Sequence, residues 1–253
     1  MAGIGRTGTR DQVRIIRQGT LTQDDLKQRA ADRAVELVED GMKLGLGTGS
    51  TAFRVLAALA ARRVRGELRD IVGVPTSKAT HARATTLGIP LTTLDEETRL
   101  DMTLDGADEV DPNLDAIKGL GGALLWEKIV AWATDRLVLV VDESKLVDRL
   151  GTRSPVPVEV VPFGWRTLLD PLRAMGADFE LREHDDGSPF ETDSGHWILD
   201  CRFAGGIEDA RSVEERLHRL PGVVETGLFL DRVDTVVVAE AEGGTRILRR
   251  SET

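Results

Sequence analysis

Cysteine is nearly absent from this 253-residue chain: Cys201 stands alone, so no disulfide can form within it. No apolar stretch approaches the roughly 18 residues that cross a bilayer. No signal-peptide core appears near the start, so the expected location is the cytoplasm. Positive charge is in deficit, with a formal net charge of −10. That balance argues against a nucleic-acid partner, whose footprint is usually basic. It leaves room for a local basic pocket that takes an anionic small molecule. Metal-ligand spacing is missing too. The four histidines, His81, His184, His196 and His218, form no close pair. Lysine is scarce: of 33 Lys and Arg, only Lys27, Lys43, Lys78, Lys118, Lys128 and Lys145 are lysines. A chain that uses Arg almost everywhere points to its few compact ammonium groups as candidates for point-charge sites.

What is present is an alternation of short apolar strands and amphipathic helices. Residues 1–20 hold Arg6, Arg10, Arg14 and Arg17 with a single acid, Asp11, and read as an N-terminal extension or, alternatively, a transit peptide. Thr22 with Asp25 resembles a capping box. Leu26, Ala30, Ala34, Leu37 and Val38 follow at helical spacing, with Gly41 as the expected stop. Strands are expected at Lys43–Leu46, Ile71–Val74, Ile89–Thr93, Met102–Leu104 and Leu137–Val141. Helices are expected at Thr51–Ala61 and Ala123–Ala133. This order implies an open, mostly parallel Rossmann-like α/β sheet with ligands at the carboxyl ends of its strands. After Gly151 the pattern becomes β-α-β-β-α-β, the ferredoxin-like signature. It comprises PVPVEVVP, a helix at Trp165–Met175, strands at Asp178–Leu181 and Trp197–Phe203, a helix at Ile207–Leu220 and a strand at Val223–Phe229. Thr235–Ala239 and Thr245–Leu248 then return to the first sheet. The expected division is an extension (1–20), a catalytic α/β unit (21–152 with 231–253) and an inserted α+β unit (153–230).

The chemistry concentrates after strands. Gly45–Thr51, GLGTGST, runs from a strand through a glycine-rich turn into a helix. Backbone N–H groups there, with the hydroxyls of Ser50 and Thr51, suit a phosphate; the bland alternative is a plain tight turn. The spacing matches neither a Walker motif nor G-x-G-x-x-G. Lys27, near the start of the first helix, can supply a cation. Val74–Thr80, VPTSKAT, either lines the same cleft or simply caps a helix with Thr76 or Ser77. Leu104–Lys128, LDGADEVDPNLDAIKGLGGALLWEK, is the densest segment. Asp105 and Asp108 flank the small residues Gly106 and Ala107, which let the turn approach a ligand; turn chemistry is the competing account. Asp105, Asp108, Glu109, Asp111 and Asp115 miss the calcium-loop spacing, so no metal is expected. Lys118 heads the flexible run KGLGG, Glu127 lies in the next helix, and Lys145 follows another apolar strand. Proton transfer beside a carbonyl needs such a set: a carboxylate base, cations and approachable N–H groups.

Taken together, GLGTGST, VPTSKAT, LDGADE, IKGLGGALLWEK, VVDESKLVDRLG and PVPVEVVP resemble ribose-5-phosphate isomerase A from about Leu21 to the C-terminus. One block is weak; six in this order are specific. The resemblance implies interconversion of D-ribose 5-phosphate and D-ribulose 5-phosphate in the non-oxidative pentose phosphate pathway. No cofactor and no metal are implied, and the partner is a small phosphosugar. It implies that Thr48, Gly49, Ser50 and Thr51, with Lys27, cradle the phosphate. Asp105 and Asp108, with Gly106 and Ala107 between them, would bind the sugar and open its ring. Lys118, with Gly119, Leu120 and Gly121, would stabilise the reacting oxygens through a cis-enediolate. Glu127 would be the base, and Lys145 a further contact. A homodimer or homotetramer is implied. Two residues depart from the family pattern. Leu120 replaces a glycine and would be costly at positive φ. Trp126 stands where a polar residue is common.

Two other classes fit parts of this pattern. A sugar-phosphate deaminase would normally place a histidine near the acids, and none is near Asp105 or Lys118 in sequence. A non-catalytic sugar-phosphate-binding domain of a transcription regulator would need a DNA-binding module, and about twenty residues before the first helix are too few for one.

Overall fold

Thr22 opens the first helix with the expected capping box: its hydroxyl accepts the Asp25 N–H, and the Asp25 carboxylate accepts the Thr22 N–H. The computed structural model describes residues 21–250; the expected N-terminal extension lies outside them. Helix α1 (Gln23–Val35) buries Leu26, Ala30, Ala31 and Ala34 at helical spacing. It ends before Gly41, because the Leu37 and Val38 N–H groups bond back only three residues and tighten the last turn. Next come β1 (Lys43–Leu46), α2 (Ser50–Val64), β2 (Val72–Pro75), α3 (Lys78–Thr86) and β3 (Leu100–Asp105). Then follow β4 (Glu109–Val110), β5 (Ala116–Ile117), α4 (Leu124–Trp132) and β6 (Thr134–Asp142). The later part holds β7 (Val156–Val160), α5 (Leu169–Ala174), β8 (Ala177–Leu181), β9 (Trp197–Phe203), α6 (Ala210–His218) and β10 (Val223–Thr226). Strands β11 (Leu228–Phe229), β12 (Val233–Ala239) and β13 (Thr245–Arg249) finish the chain.

The main sheet has six strands in the order β13-β12-β6-β3-β1-β2. All its pairs are parallel except the edge pair β12–β13. Strand order reverses between β1 and β3, which makes a crevice beyond their carboxyl ends. One face is covered by α1 and α2, whose Leu26, Leu56 and Leu59 pack with Leu44, Leu46, Met102 and Leu104 of the strands. On the other, Leu137, Leu139, Val236 and Val238 pack with Phe229 and Val110. These strands are apolar on both faces, as buried parallel strands require. Among the described residues no helix is long and apolar enough to cross a membrane.

A second sheet, β10-β7-β9-β8, is wholly antiparallel and packs on α5 and α6 through Leu168, Leu172 and Leu217. Its order matches the β-α-β-β-α-β expectation.

Three local expectations need correction. Ile89–Thr93 is not a strand; only Leu91 bridges, to Gly73, since Pro90 has no N–H to extend the ladder. Trp165–Met175 splits into a 3₁₀ turn (Trp165–Leu168) and α5, with Pro171 in the first turn of the α-helix. Val223–Phe229 divides at Gly227 between two sheets. There the Gly227 N–H donates to Pro157 and its carbonyl accepts the Lys118 N–H at 2.9 Å. A Cβ at Gly227 would lie 2.3 Å from the Lys118 carbonyl oxygen, so only glycine permits this approach. The three-stranded sheet β11-β5-β4 that results was not expected from sequence.

Candidate active site

Three parallel strands, β1, β3 and β6, deliver their carboxyl ends to one cleft of about 260 Å³. After β1, the turn Gly47–Gly49 leads into α2, which has no side-chain cap and no acid in its first turn. The helix therefore presents free N–H groups and the positive end of its dipole to the cleft. Thr48, Gly49, Ser50 and Thr51 line this end, with Lys27 and Lys145 beside them. The Lys27 ammonium donates to Ser50 Oγ at 3.0 Å. Lys145 comes from the 3₁₀ turn after β6, whose start Asp142 caps through the Ser144 N–H. Thr76, Ser77 and Thr80, from the hydroxyl-rich turn after β2, do not line the cleft. Their hydroxyls lie 2.7–3.1 Å from Thr48 Oγ1 and hold that residue from behind, while Ser77 also caps α3.

The remaining wall is formed by Gly106, Ala107, Asp108, Lys118, Gly119, Gly121 and Glu127. Asp105 lies beneath this wall rather than on it. One of its oxygens accepts the N–H groups of Thr48 and Gly106, at 3.1 and 2.7 Å, and the other faces Lys118 at 2.9 Å. Lys118 Nζ also donates to the Gly106 carbonyl at 2.7 Å and lies 3.3 Å from Glu127 Oε2. Phe229 puts its ring 5.4 Å from the same ammonium.

These charges are almost dry: Lys118, Asp105 and Glu127 are 2%, 1% and 4% exposed. Burial disfavours the charged form of each. For Lys118 the Asp105 and Glu127 carboxylates outweigh burial, so its pKa is raised and the ammonium stays protonated. For Glu127 burial wins over the attraction of Lys118, and Asp105 and Asp108 add repulsion, so its pKa is pushed up to about 8. Despite its nearness to Lys118, Glu127 Oε2 makes no hydrogen bond among the described residues. A buried carboxylate with a raised pKa and an unbonded oxygen, on the wall of a cleft, is poised to accept a proton. Burial likewise raises the pKa of Asp108, against the Leu120 N–H bond and the charges of Lys118 and Lys145.

The glycine run resolves the question of Leu120. The loop takes positive φ at Gly119 (98°) and Gly122 (81°), not at Leu120. The Leu120 side chain, 40% exposed, is outside the cleft, while its N–H donates to Asp108 Oδ2 at 3.1 Å. Trp126 also points away, donating from Nε1 to Ser194 Oγ at 2.9 Å.

The other acids of this segment serve the fold. Glu109 accepts the N–H groups of Gly151, Arg153 and Ser154. Asp111 closes a turn on Asn113 and Asp115, and Asp115 accepts from Asp231 and Arg250. Among the described residues, the group spaced to hold a metal is Glu214, His218 and Glu225, none of which lines this cleft. The Lys128 ammonium already lies 2.7 Å from Glu225 and 3.3 Å from Glu214 there. No histidine lines the cleft. Sequence reading missed Arg182, which reaches the glycine loop from the second sheet; its position some sixty residues downstream offers no local signal.

Comparison with known proteins adds a second line of argument. Residues 72–243 match the family Ribose 5-phosphate isomerase A (phosphoriboisomerase A). The ribose-5-phosphate isomerase A of Gloeobacter violaceus is 54% identical over 229 residues, covering 90% of this chain and 97% of that protein. A solved D-ribose-5-phosphate isomerase in complex with phospho-erythronic acid superposes with a TM-score of 0.87 at 41% identity, over 91% of this chain and all (100%) of that one. The ribose 5-phosphate isomerase from Plasmodium falciparum gives a TM-score of 0.87 at 37% identity, over 90% of this chain and 100% of that one.

Proposed function

For a chain that belongs to the ribose 5-phosphate isomerase A family, and is thereby an isomerase of ribose 5-phosphate and ribulose 5-phosphate, we propose that Glu127 is the base. In this reading the phosphate sits at the start of α2, against Thr48–Thr51, with Lys27 and Lys145 as cations. Free helix N–H groups and two ammonium groups support that assignment. The sugar chain then runs towards Glu127. Asp108, with its raised pKa, serves ring opening and hydroxyl binding. Asp105 acts through Lys118, which it holds and keeps charged.

Glu127 takes the C2 proton of the open-chain aldose. The electron pair moves into a cis-enediolate across C1 and C2, whose charge Lys118 and the loop N–H groups share. The hydroxyl proton passes from O2 to O1, and Glu127 returns its proton to C1 to give the ketose. The raised pKa of Glu127 matters here, because an ordinary carboxylate, at about 4.3, is a weak base for a C–H proton. Anchoring at the remote phosphate orients C1 and C2 beside Glu127 and Lys118.

The observation that carries the reading is the dry Glu127 carboxylate with an unbonded oxygen beside Lys118. Its test is an assay of purified, chelator-treated protein on ribose 5-phosphate. Ribulose 5-phosphate formation undiminished by chelator is expected; turnover restored only by added metal would refute a metal-free site. The reading extends to a cytoplasmic homodimer or homotetramer. Exposed Ile129 and Trp132 on α4 support association, and sedimentation velocity tests it.

A further inference from the structure

We propose that Arg182 is a positioning residue for the isomerisation, holding the Gly119–Leu120 peptide so that the glycine loop presents its N–H groups to the reacting oxygens. The inference rests on the reading of the cleft given above.

Arg182 directly follows β8, in the second sheet, and reaches across to the first unit. Asp200 on the neighbouring strand β9 grips two of its nitrogens, with Nε to Oδ2 at 2.8 Å and Nη2 to Oδ1 at 2.5 Å. The remaining nitrogen, Nη1, donates to the carbonyls of Gly119 and Leu120 at 3.1 and 3.0 Å. A planar fork fixed on one side by a carboxylate holds its other side rigidly, which a lysine cannot do. The Gly119–Leu120 peptide is therefore tied at both ends. Its carbonyl accepts from Arg182 and its N–H donates to Asp108. On either side of it, Gly119 and Gly121 line the cleft, and their N–H groups have no acceptor among the described residues.

The same β8–β9 connection presses on the loop elsewhere. The Phe190 ring lies where a Cβ on Gly122 would meet it at 2.5 Å, so this glycine is the seat for that ring. Ser194 accepts from Trp126, the neighbour of Glu127. The second unit thus sets both the loop that holds the enediolate and the helix that carries the base. No part of Arg182 lines the cleft, so its effect is on geometry and not on substrate contact.

The test compares Arg182→Ala, Arg182→Lys and Asp200→Asn with wild type and with Glu127→Gln, reading kcat, KM and melting temperature. Misplacing a reacting group by about 1 Å costs on the order of 100-fold in rate, so Arg182→Ala should lose about that in kcat. Its KM should stay within about threefold, because the phosphate anchors are untouched. Low, non-denaturing guanidinium should restore about tenfold of the loss. Arg182→Lys and Asp200→Asn should fall between wild type and Arg182→Ala, and they carry the test if Arg182→Ala does not fold. Affinity for phospho-erythronic acid, the molecule bound in the solved relative, should weaken more than KM rises. Folded variants with kcat within twofold of wild type would overturn the proposal. So would guanidinium that raises the melting temperature without raising kcat. An inactive Glu127→Gln beside a fully active Arg182→Ala would sink this inference alone; an active Glu127→Gln would sink the site reading beneath it.

Discussion

Glu127→Gln separates chemistry from folding in one substitution. The side chain keeps its size, and Lys118 keeps Asp105 as a partner at 2.9 Å. What disappears is the proton acceptor. A positioned general base is worth about 10²–10⁴ in rate, so kcat should fall by about 10³, equivalent to about 4 kcal/mol of barrier. Stability should move the other way. Glu127 has a folded pKa above its unfolded value, so the native state binds that proton more tightly. Between the ordinary carboxyl value and the raised one, the native protein holds more protons than the unfolded chain. The contribution of this group to stability therefore falls as pH rises through that window. Glutamine carries no such charge. Removing that buried charge at high pH is worth on the order of 1–3 kcal/mol, or roughly 2–10 °C for a chain of this size. The variant should melt near wild type at pH 5 and above it at pH 8. Steady-state assay of ribulose 5-phosphate and a thermal melt at both pH values provide the check. Turnover within tenfold of wild type, or a variant that melts well below wild type at pH 8, would refute the reasoning.

Three further outcomes follow from the same charges. The pH profile of kcat/KM should rise with pH across the raised pKa of Glu127, well above the ordinary carboxyl range; a limb confined to pH 4–5 would contradict the burial argument. Lys118→Met should lose both turnover and stability, since removing one member of a buried ion pair costs about 3–5 kcal/mol. Lys118→Met/Glu127→Gln should regain part of that stability without activity in a paired melt and assay, because Asp105 still lacks its ammonium partner. Lys27→Ala and Lys145→Ala should each raise KM by roughly tenfold or more, the worth of one charge-assisted hydrogen bond, with a smaller effect on kcat.

Much of the fold was legible because parallel strands announce themselves. LVLVV in β6 and VVVA in β12 are apolar on both faces and long enough to read, and the Thr22–Asp25 box marks a helix start. The β4–β5–β11 sheet was not legible, because two-residue strands separated by Asp, Pro and Asn carry no periodicity. The site was legible as a set of residue types at strand ends. Its wiring was not. Nothing in LDGADE says that Asp105 turns inward to Thr48, Gly106 and Lys118 while Asp108 faces the cleft. The difference arises from Lys118, thirteen residues downstream, and from Gly227, whose carbonyl fixes the Lys118 backbone. Leu120 looked costly because a glycine run suggests positive φ throughout, yet only Gly119 and Gly122 take it.

Solvent isotope incorporation tests proton transfer by Glu127 most directly. Ribose 5-phosphate is brought to equilibrium with the enzyme in D₂O and the sugar phosphates are read by NMR. The account predicts deuterium at C1 of ribulose 5-phosphate and C2 of ribose 5-phosphate, accumulating over many turnovers and lost with Glu127→Gln. Full conversion with no carbon-bound deuterium would contradict it, because hydrogen would then pass between the carbons without visiting an exchangeable carboxyl group.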